Sequence, residues 1–225
     1  MRINKYLAQA TGLSRRAADM AIAAGQVSVN GRPAVAGQDV GDADRLTFNS
    51  LPVTPPRHTV TTLMLNKPAG YVVSRNGQGS KTVYDLLPAQ YQALKPIGRL
   101  DKNSSGLLLL TNDGQLAYEL THPSRHKRKA YEVSLDTPLQ PLHRQLISDR
   151  GIQLDDGLSR LQLARLREGD DTAWQVTMHE GRNRQIRRTF AALGYDVRRL
   201  HRTHFGPYAL GNLPAGQFTQ LPVQV

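Results

Sequence analysis

Four consecutive leucines, Leu107 to Leu110, form the strongest hydrophobic signal in this chain. An apolar run of this length that ends at the turn residues Asn112-Asp113-Gly114 is typical of a strand buried on both faces. The glycine-bounded loop directly before the run holds one acidic residue, Asp101, flanked by the cations Arg99 and Lys102. The pattern therefore predicts a rigid strand that anchors a loop whose carboxylate faces positive charge, as a nucleophile requires.

The first 48 residues predict a small, self-contained module. A helix with an apolar stripe should end at Gly12; its stripe is Ile3, Leu7 and Ala10. Ser14 is placed to cap a second helix, whose predicted buried stripe is Ala17, Met20, Ala21 and Ala24. Residues 27–29 alternate into Asn30-Gly31, a strong hairpin signal, and a last strand is predicted at 45–48.

Residues 49–60 contain Pro52, Pro55 and Pro56 and show no apolar periodicity, which predicts an extended, semi-stiff linker. Residues 61–225 then predict a larger domain of alternating strands and amphipathic helices. Its strands are predicted at 63–65, 107–110, 130–135, 161–166, 174–178 and, as a closing strand, 195–200; its helices at 115–120, 139–147 and 186–193. The predicted fold class is α+β: a small helix-rich module followed by a mixed, mostly antiparallel sheet with flanking helices.

The charge of the chain limits its partners. Twenty-nine Lys and Arg against 18 Asp and Glu give a net charge of +11, which indicates a polyanionic partner. No apolar run is long enough for a membrane span, and the chain starts without the apolar stretch of a signal peptide, so a cytoplasmic protein is expected. The absence of cysteine excludes a disulfide, a thiolate nucleophile and a cysteine zinc site. His201 and His204 lack a third ligand at a useful spacing, so no metal is expected.

Two further segments carry candidate chemistry. The basic run 124–129 leads into the strand that holds Tyr131, whose ring could stack on a base while the cations hold phosphates; packing in the core is the alternative. In the last helix, Arg187 lies at the margin of the apolar face, from which a long side chain can reach a partly buried carboxylate. Arg184 and Arg188 lie on the far side of that helix and are expected to coat RNA.

The run from Gly98 to Gly114 resembles the catalytic signature of ribosomal RNA pseudouridine synthases of the RsuA type. Further resemblances are the Lys-Pro-x-Gly turn at 67–70, the Lys-x-Tyr-x-Val motif at 129–133 and the Glu-Gly-Arg-x-x-Gln-Ile-Arg motif at 180–187. The resemblance implies that Asp101 is the catalytic carboxylate. It also implies that Tyr131 lies against the target uracil and that Arg187 pairs with Asp101, with Arg182 nearby.

The first 48 residues resemble the alpha-L RNA-binding module first described in a small-subunit ribosomal protein. By that resemblance, four cations would line an RNA face: Arg2, Lys5, Arg15 and Arg16. Cations in the first turn of a helix oppose its macrodipole, so a helix that keeps Arg15 and Arg16 there is expected to use them. Additional RNA contacts are expected at Arg99, Lys129, Arg182, Arg184 and Arg188.

The predicted function is the isomerisation of a specific uridine in ribosomal RNA to pseudouridine, with Asp101, Tyr131 and Arg187 as catalytic residues and without cofactor or metal. The expected partner is ribosomal RNA or a ribosome assembly intermediate, with no membrane, no obligate protein partner and a monomeric state. Two alternatives are a non-catalytic ribosome-associated RNA-binding factor and a metal-dependent nuclease. An Asp at the centre of a cationic groove repels phosphate and disfavours a pure binder; the lack of an acidic cluster disfavours a nuclease. Whether Asp101 attacks uracil C6 or ribose C1′ is left open by the sequence.

Overall fold

A computed structural model of the protein describes residues 1–41, 43–54, 59–125 and 127–222. Pro55 and Pro56 of the predicted linker and His126 of the basic run lie outside the described residues. The chain divides into two compact units, Met1–Thr59 and Val60–Val225. Within the described ranges, no helix is long and apolar enough to cross a membrane.

Within the described residues, the first unit contains the helices α1 (Ile3–Thr11) and α2 (Arg15–Ala23) and the strands β1 (Val27–Val29), β2 (Arg32–Pro33), β3 (Leu46–Phe48) and β4 (Leu51–Val53). The strands form an antiparallel sheet of order β2-β1-β3-β4. The predicted helix signals are confirmed: Gly12 ends α1 in the left-handed conformation, and the Ser14 hydroxyl accepts a hydrogen bond from the Ala17 amide. Asn30 and Gly31 both have positive φ and turn β1 into β2, as the hairpin signal predicts.

Two predictions for the first unit are wrong. The buried face of α2 is Ala18, Ala21 and Ile22, whereas Met20 is 67% exposed, because the large Ile22 side chain sets which face packs on the core. Residues 51–53 are not part of a linker. Asn49 and Ser50 both adopt positive φ and form a second tight turn, which pairs β4 with β3. Pro52 is tolerated there because β4 is an edge strand.

The second unit contains, within the described residues, a nine-stranded mixed sheet whose main path is β11-β12-β8-β13-β7-β5-β15. Its strands are β5 (Thr62–Lys67), β6 (Lys95–Ile97), β7 (Ser105–Thr111), β8 (Lys129–Leu135), β11 (Gln162–Arg165), β12 (Ala173–Met178), β13 (Val197–Phe205), β14 (Tyr208–Ala209) and β15 (Phe218–Gln220). Strands β9 (Ile152–Leu154) and β10 (Gly157–Ser159) form a separate hairpin. The helices are α3 (Gly114–Thr121), α4 (Pro141–Gln145) and α5 (Gln185–Ala191). Pairing is antiparallel except between β13 and β7, so the predicted α+β fold with a mostly antiparallel sheet is confirmed.

The leucine strand β7 is buried on both faces, as predicted. Leu108 and Leu110 pack in the larger core on one face, and Leu107 and Leu109 pack in a smaller core on the other. Asp113 caps α3 by accepting a hydrogen bond from the Gln115 amide.

The predicted closing strand is not at an edge: β13 lies between β8 and β7. The helix predicted at 139–147 begins at Pro141, and its α-helical part, α4, ends at Gln145. A π-helical turn follows at 146–150. Neither the β9–β10 hairpin nor the edge strand β15 was predicted, because both are short and their apolar residues do not repeat over a long enough stretch.

Candidate active site

The Asp101 loop joins the end of β6 to the start of β7 in the middle of the sheet. The Asp101 carbonyl accepts a hydrogen bond from the Ser104 amide at 3.0 Å, which closes a tight turn and leaves the carboxylate free to project. The Asp101 side chain is 34% exposed. It lines a cavity of about 220 Å³ whose walls come from β8, β12, β13, α3 and α5. Sequence-distant elements therefore meet around a single carboxylate.

The cavity combines apolar walls with cationic side chains. Its apolar lining includes Leu100, Leu120, Met178, Ile186, Leu200 and Phe205, and its cations are Arg99, Lys129, Arg182, Arg184 and Arg202. Asp101 is the one acidic residue among the described residues that line it. Apolar walls with a few convergent polar groups are typical of a small-molecule or nucleobase site.

Arg184 is the arginine that meets Asp101: its Nη1 lies 3.6 Å from Asp101 Oδ2. The prediction that Arg187 pairs with Asp101 is wrong as to direct contact. A helical wheel assumes helical backbone, but Arg184 precedes α5 with φ 47° and ψ 30°, a left-handed conformation that re-aims its side chain. The predicted place of Arg184 on the far side of the helix is wrong, because α5 begins only at Gln185.

Arg187 supports the Asp101 loop instead. Its Nη2 donates to the Asn103 carbonyl at 2.9 Å, and its Nη1 donates to the Val197 carbonyl at 2.5 Å. Burial, together with the neighbouring charge of Arg184, lowers the pKa of Arg187. Arg187, at the margin of the apolar face of α5, thus connects the Asp101 loop to β13.

Arg182 and Arg188 share an acidic partner at the rim. Arg182 Nη1 lies 2.8 Å and Arg188 Nη2 lies 2.5 Å from opposite oxygens of Asp156, in the turn between β9 and β10. The hydrogen bond from Arg188 is the main cause that lowers the pKa of Asp156. The pair of Arg188 with Asp156 is partly exposed and can exchange with other anions, so Arg188 remains available to phosphate. Arg182 is more buried and also donates to the Gly157 and Leu158 carbonyls, which fixes it at the rim.

A buried lysine beneath the loop was not recognised from the sequence. Lys67, the last residue of β5, has no solvent exposure. Its ammonium donates to the carbonyls of Pro68 at 2.9 Å and Ser104 at 2.7 Å, with the Lys102 carbonyl at 3.4 Å. Burial lowers the pKa of Lys67 to about 8, and the Asp101 carboxylate opposes that shift.

The Lys67 ammonium thus holds the Asp101 turn through the carbonyls of Lys102 and Ser104. The Gly70 amide also donates to the Lys102 carbonyl at 2.7 Å, so the turn after β5 and the Asp101 loop are joined at two points. The signal that could have identified Lys67 is its position: a lone cation two residues after the apolar run Leu63-Met64-Leu65, in a strand where a buried charge is expensive unless it has partners.

Tyr131 belongs to the core and to the cavity at once. Its side chain is 7% exposed, packs in the larger core and forms part of the cavity wall. Lys129, two residues earlier on β8, donates to the Glu180 carbonyl at 3.0 Å. Burial and then the charge of Arg202 lower the pKa of Lys129, while Glu180 opposes them. The aromatic ring and the cation predicted to lie together therefore do so, on one strand beside Asp101.

Comparison with known proteins shows which families the chain matches. Residues 61–192 match the RNA pseudouridylate synthase family, and residues 1–46 match the S4 domain family. The chain belongs to the RNA pseudouridylate synthase family.

A ribosomal large subunit pseudouridine synthase B of Bacillus subtilis (strain 168) is 37% identical over 227 residues, which cover 98% of this chain and 91% of the relative. An uncharacterized RNA pseudouridine synthase of Aquifex aeolicus (strain VF5) is 36% identical over 98% of this chain and 90% of its own length. A crystal structure of a pseudouridylate synthase aligns with a TM-score of 0.70 at 32% identity, covering 99% of this chain and 96% of that one. The family and the enzyme class predicted from the sequence are confirmed.

The four cations predicted to bind RNA in the S4 domain of this chain, residues 1–46, lie on or beside α1 and α2. Arg2 donates to the Gly37 carbonyl and lies 3.3 Å from Asp39, while Arg15 donates to Asn4 at 3.0 Å. Arg2, Arg15 and Arg16 are exposed and Lys5 is partly exposed. Their contacts with RNA stay a prediction.

The two histidines of β13 each lie beside a hydroxyl group. His201 Nδ1 lies 2.9 Å from the Ser105 hydroxyl, and His204 Nδ1 lies 3.0 Å from the Thr203 hydroxyl. Burial lowers the pKa of His201. Across the part of the chain that the structure describes, no three His, Cys, Asp or Glu side chains are grouped as metal ligands would be.

Proposed function

We propose that this synthase isomerises a specific uridine of large-subunit ribosomal RNA to pseudouridine, with Asp101 as the nucleophile. The observation that carries the proposal is the position of Asp101: a carboxylate that is 34% exposed, at the wall of a cavity, 3.6 Å from Arg184 and on a loop held by the Lys67 ammonium. The choice of large-subunit RNA rests on the name of the Bacillus subtilis relative, which is similar along nearly its whole length.

The reaction conserves every atom of the RNA. The Asp101 carboxylate forms a covalent adduct, the bond between uracil N1 and ribose C1′ breaks, and the detached base turns within the cavity. A bond from C5 to C1′ then forms, and the bond between the RNA and Asp101 breaks, which returns the free carboxylate. The hydrogen at C5 leaves as a proton while N1 becomes protonated. Because nothing is oxidised and no group is donated, the chemistry needs no redox cofactor. The two routes to the adduct, through uracil C6 or ribose C1′, both begin with the same carboxylate.

The remaining residues have supporting roles in this proposal. The uridine leaves its stack to reach the cavity, which costs a few kcal/mol and is offset by contacts inside it. Tyr131 lines the cavity, and we assign its ring to the support of the flipped base and its hydroxyl to removal of the C5 proton. Arg184 positions the carboxylate, and Arg187 holds the loop through Asn103.

Release of tritium tests the proposal directly. Large-subunit ribosomal RNA transcribed with C5-tritiated uridine should lose one tritium per modified site when incubated with the purified protein, and chromatography of the digested RNA should reveal pseudouridine. A small-subunit transcript, treated in the same way, should stay unmodified. Release from the small-subunit transcript alone would overturn the substrate assignment. Tight binding of both transcripts without any release would favour the non-catalytic RNA-binding factor.

The S4 domain, residues 1–46, should supply much of the affinity for RNA. We expect Arg15→Ala/Arg16→Ala to lower affinity and to make the salt dependence of binding shallower, since each lost phosphate contact reduces the slope of log K against log salt by about one. Binding is measured by filter retention at several salt concentrations. The control Arg165→Ala/Arg167→Ala removes the same charge from exposed positions of the second unit and should leave the slope near that of the wild type. Equal slopes for the Arg15/Arg16 variant and the wild type would show that these two residues do not touch RNA.

A further inference from the structure

Arg202 has a buried donor without a partner. This β13 residue is 3% exposed, yet it lines the cavity together with Asp101 and Tyr131. Its Nε donates to the Leu107 carbonyl at 2.8 Å, and its guanidinium lies 4.8 Å from the ring centroid of Phe205. Its Nη2 is buried and has no hydrogen-bond partner among the described residues. A buried donor is costly when it stays unpaired, so a native site that keeps one is built for an acceptor that arrives later.

The backbone holds Arg202 firmly beside the Asp101 loop. Arg202 is opposite Tyr131 in the antiparallel pairing with β8 and opposite Gly106 in the parallel pairing with β7. A Cβ atom at Gly106 would lie 2.2 Å from the Arg202 carbonyl oxygen, so only glycine permits this close approach of the strands. The guanidinium is therefore a rigid part of the cavity wall.

The missing acceptor is neutral. Asp101 lines the same cavity, and a phosphate beside its carboxylate would be repelled. The neighbouring walls at Met178, Ile186 and Leu200 are apolar, which suits the flat body of a base and not a hydrated anion. Phosphates of the RNA find a partner in Arg188, which does not line the cavity.

We propose that Arg202 donates through Nη2 to O4 of the target uracil and so selects uridine over cytidine. Arginine offers donors only, and uracil presents a carbonyl acceptor at C4 where cytosine carries an amino group. A cytosine in the same position would bring two donors together and leave both unpaired in a buried site, which is the arrangement that gives strong discrimination. Lys129 strengthens the preference, because a second half-buried cation close to Arg202 favours an electron-rich acceptor over an amino group.

This inference rests on the proposed function, and its test uses a synthetic RNA hairpin that carries the uridine mapped by tritium release. Three hairpins hold uridine, 4-thiouridine or 2-thiouridine at that position, because sulfur is a poorer hydrogen-bond acceptor than oxygen. Isomerisation is followed by chromatography after digestion of the RNA. For the wild type, kcat/KM should fall about 10- to 100-fold with 4-thiouridine, as expected for loss of a hydrogen bond to a charged group, and much less with 2-thiouridine.

The variant Arg202→Met should lose a similar factor with the uridine hairpin and should treat uridine and 4-thiouridine alike. Arg198→Met is the control, since it removes an exposed arginine from the same strand and should keep the full 4-thiouridine penalty. The wild-type rate with the uridine hairpin tests the proposed function separately from the ratio between hairpins. A wild-type enzyme indifferent to 4-thiouridine, which needs no variant to fold, or an Arg202→Met enzyme that retains the whole penalty would overturn the role of Arg202.

Discussion

Asp101→Asn should reduce kcat by about 10⁴-fold or more and leave RNA affinity unchanged or slightly improved. The amide has the shape of the carboxylate but cannot act as the nucleophile. The loop should keep its conformation, because the backbone of Asp101, not its side chain, closes the turn with Ser104. Affinity should not fall, because removing a negative charge from a cationic cavity favours a polyanion.

Tritium release under single-turnover conditions and filter binding measure the two quantities on the same preparation. Asp149→Asn is the matched control: it makes the same change at an exposed acid of the same unit and should remain fully active. An Asp101→Asn enzyme with a tenth or more of the wild-type turnover would contradict the assignment of the nucleophile.

Lys67→Met should lower kcat by about 100-fold, although Lys67 is not expected to touch the RNA. The ammonium holds the carbonyls of Pro68 and Ser104 and so fixes the Asp101 loop from below. Methionine fills similar space but donates no hydrogen bond, so the loop shifts, and a displacement of about 1 Å of a catalytic group is enough for a loss of this size. Lys95→Met, an exposed lysine on β6, is the control and should be neutral. Thermal unfolding of both variants separates a displaced loop from an unfolded chain.

The pH profile gives Lys67 a signature of its own. The pKa of Lys67 is lowered to about 8, so the ammonium with its three donors is present below that pH and is lost as the pH rises through it. A neutral amine has only two N–H donors for the three carbonyls of Pro68, Lys102 and Ser104, so its hold on the loop weakens. Wild-type kcat should therefore decline above about pH 8, whereas Lys67→Met should lack that decline and stay low throughout. A flat wild-type profile from about pH 6 to pH 10, or a fully active Lys67→Met, would show that the ammonium does not position the loop.

Elements whose signals are local could be predicted from the sequence alone. The leucine run at 107–110, the Ser14 cap and the Asn30-Gly31 turn each depend on neighbouring residues, and each has the predicted structure. The apolar face of α5 also follows its 3.6-residue period, with Ile186 and Phe190 buried. The motif around Asp101 was sufficient to predict the family. Such features are legible because burial and capping act within a few residues of chain.

Which side chains meet depends on the order of the strands in the sheet. Lys67 finds the Ser104 carbonyl 37 residues away, and Arg202 finds the Leu107 carbonyl 95 residues away. No periodicity predicts these contacts, because the first depends on the pairing of β5 with β7 and the second on β13 entering the middle of the sheet beside β7. The exchange of Arg187 for Arg184 beside Asp101 has a different cause: one residue with positive φ precedes α5, and a helical wheel does not apply to it. Local pattern thus determines the elements, while strand order and a single backbone conformation determine the site.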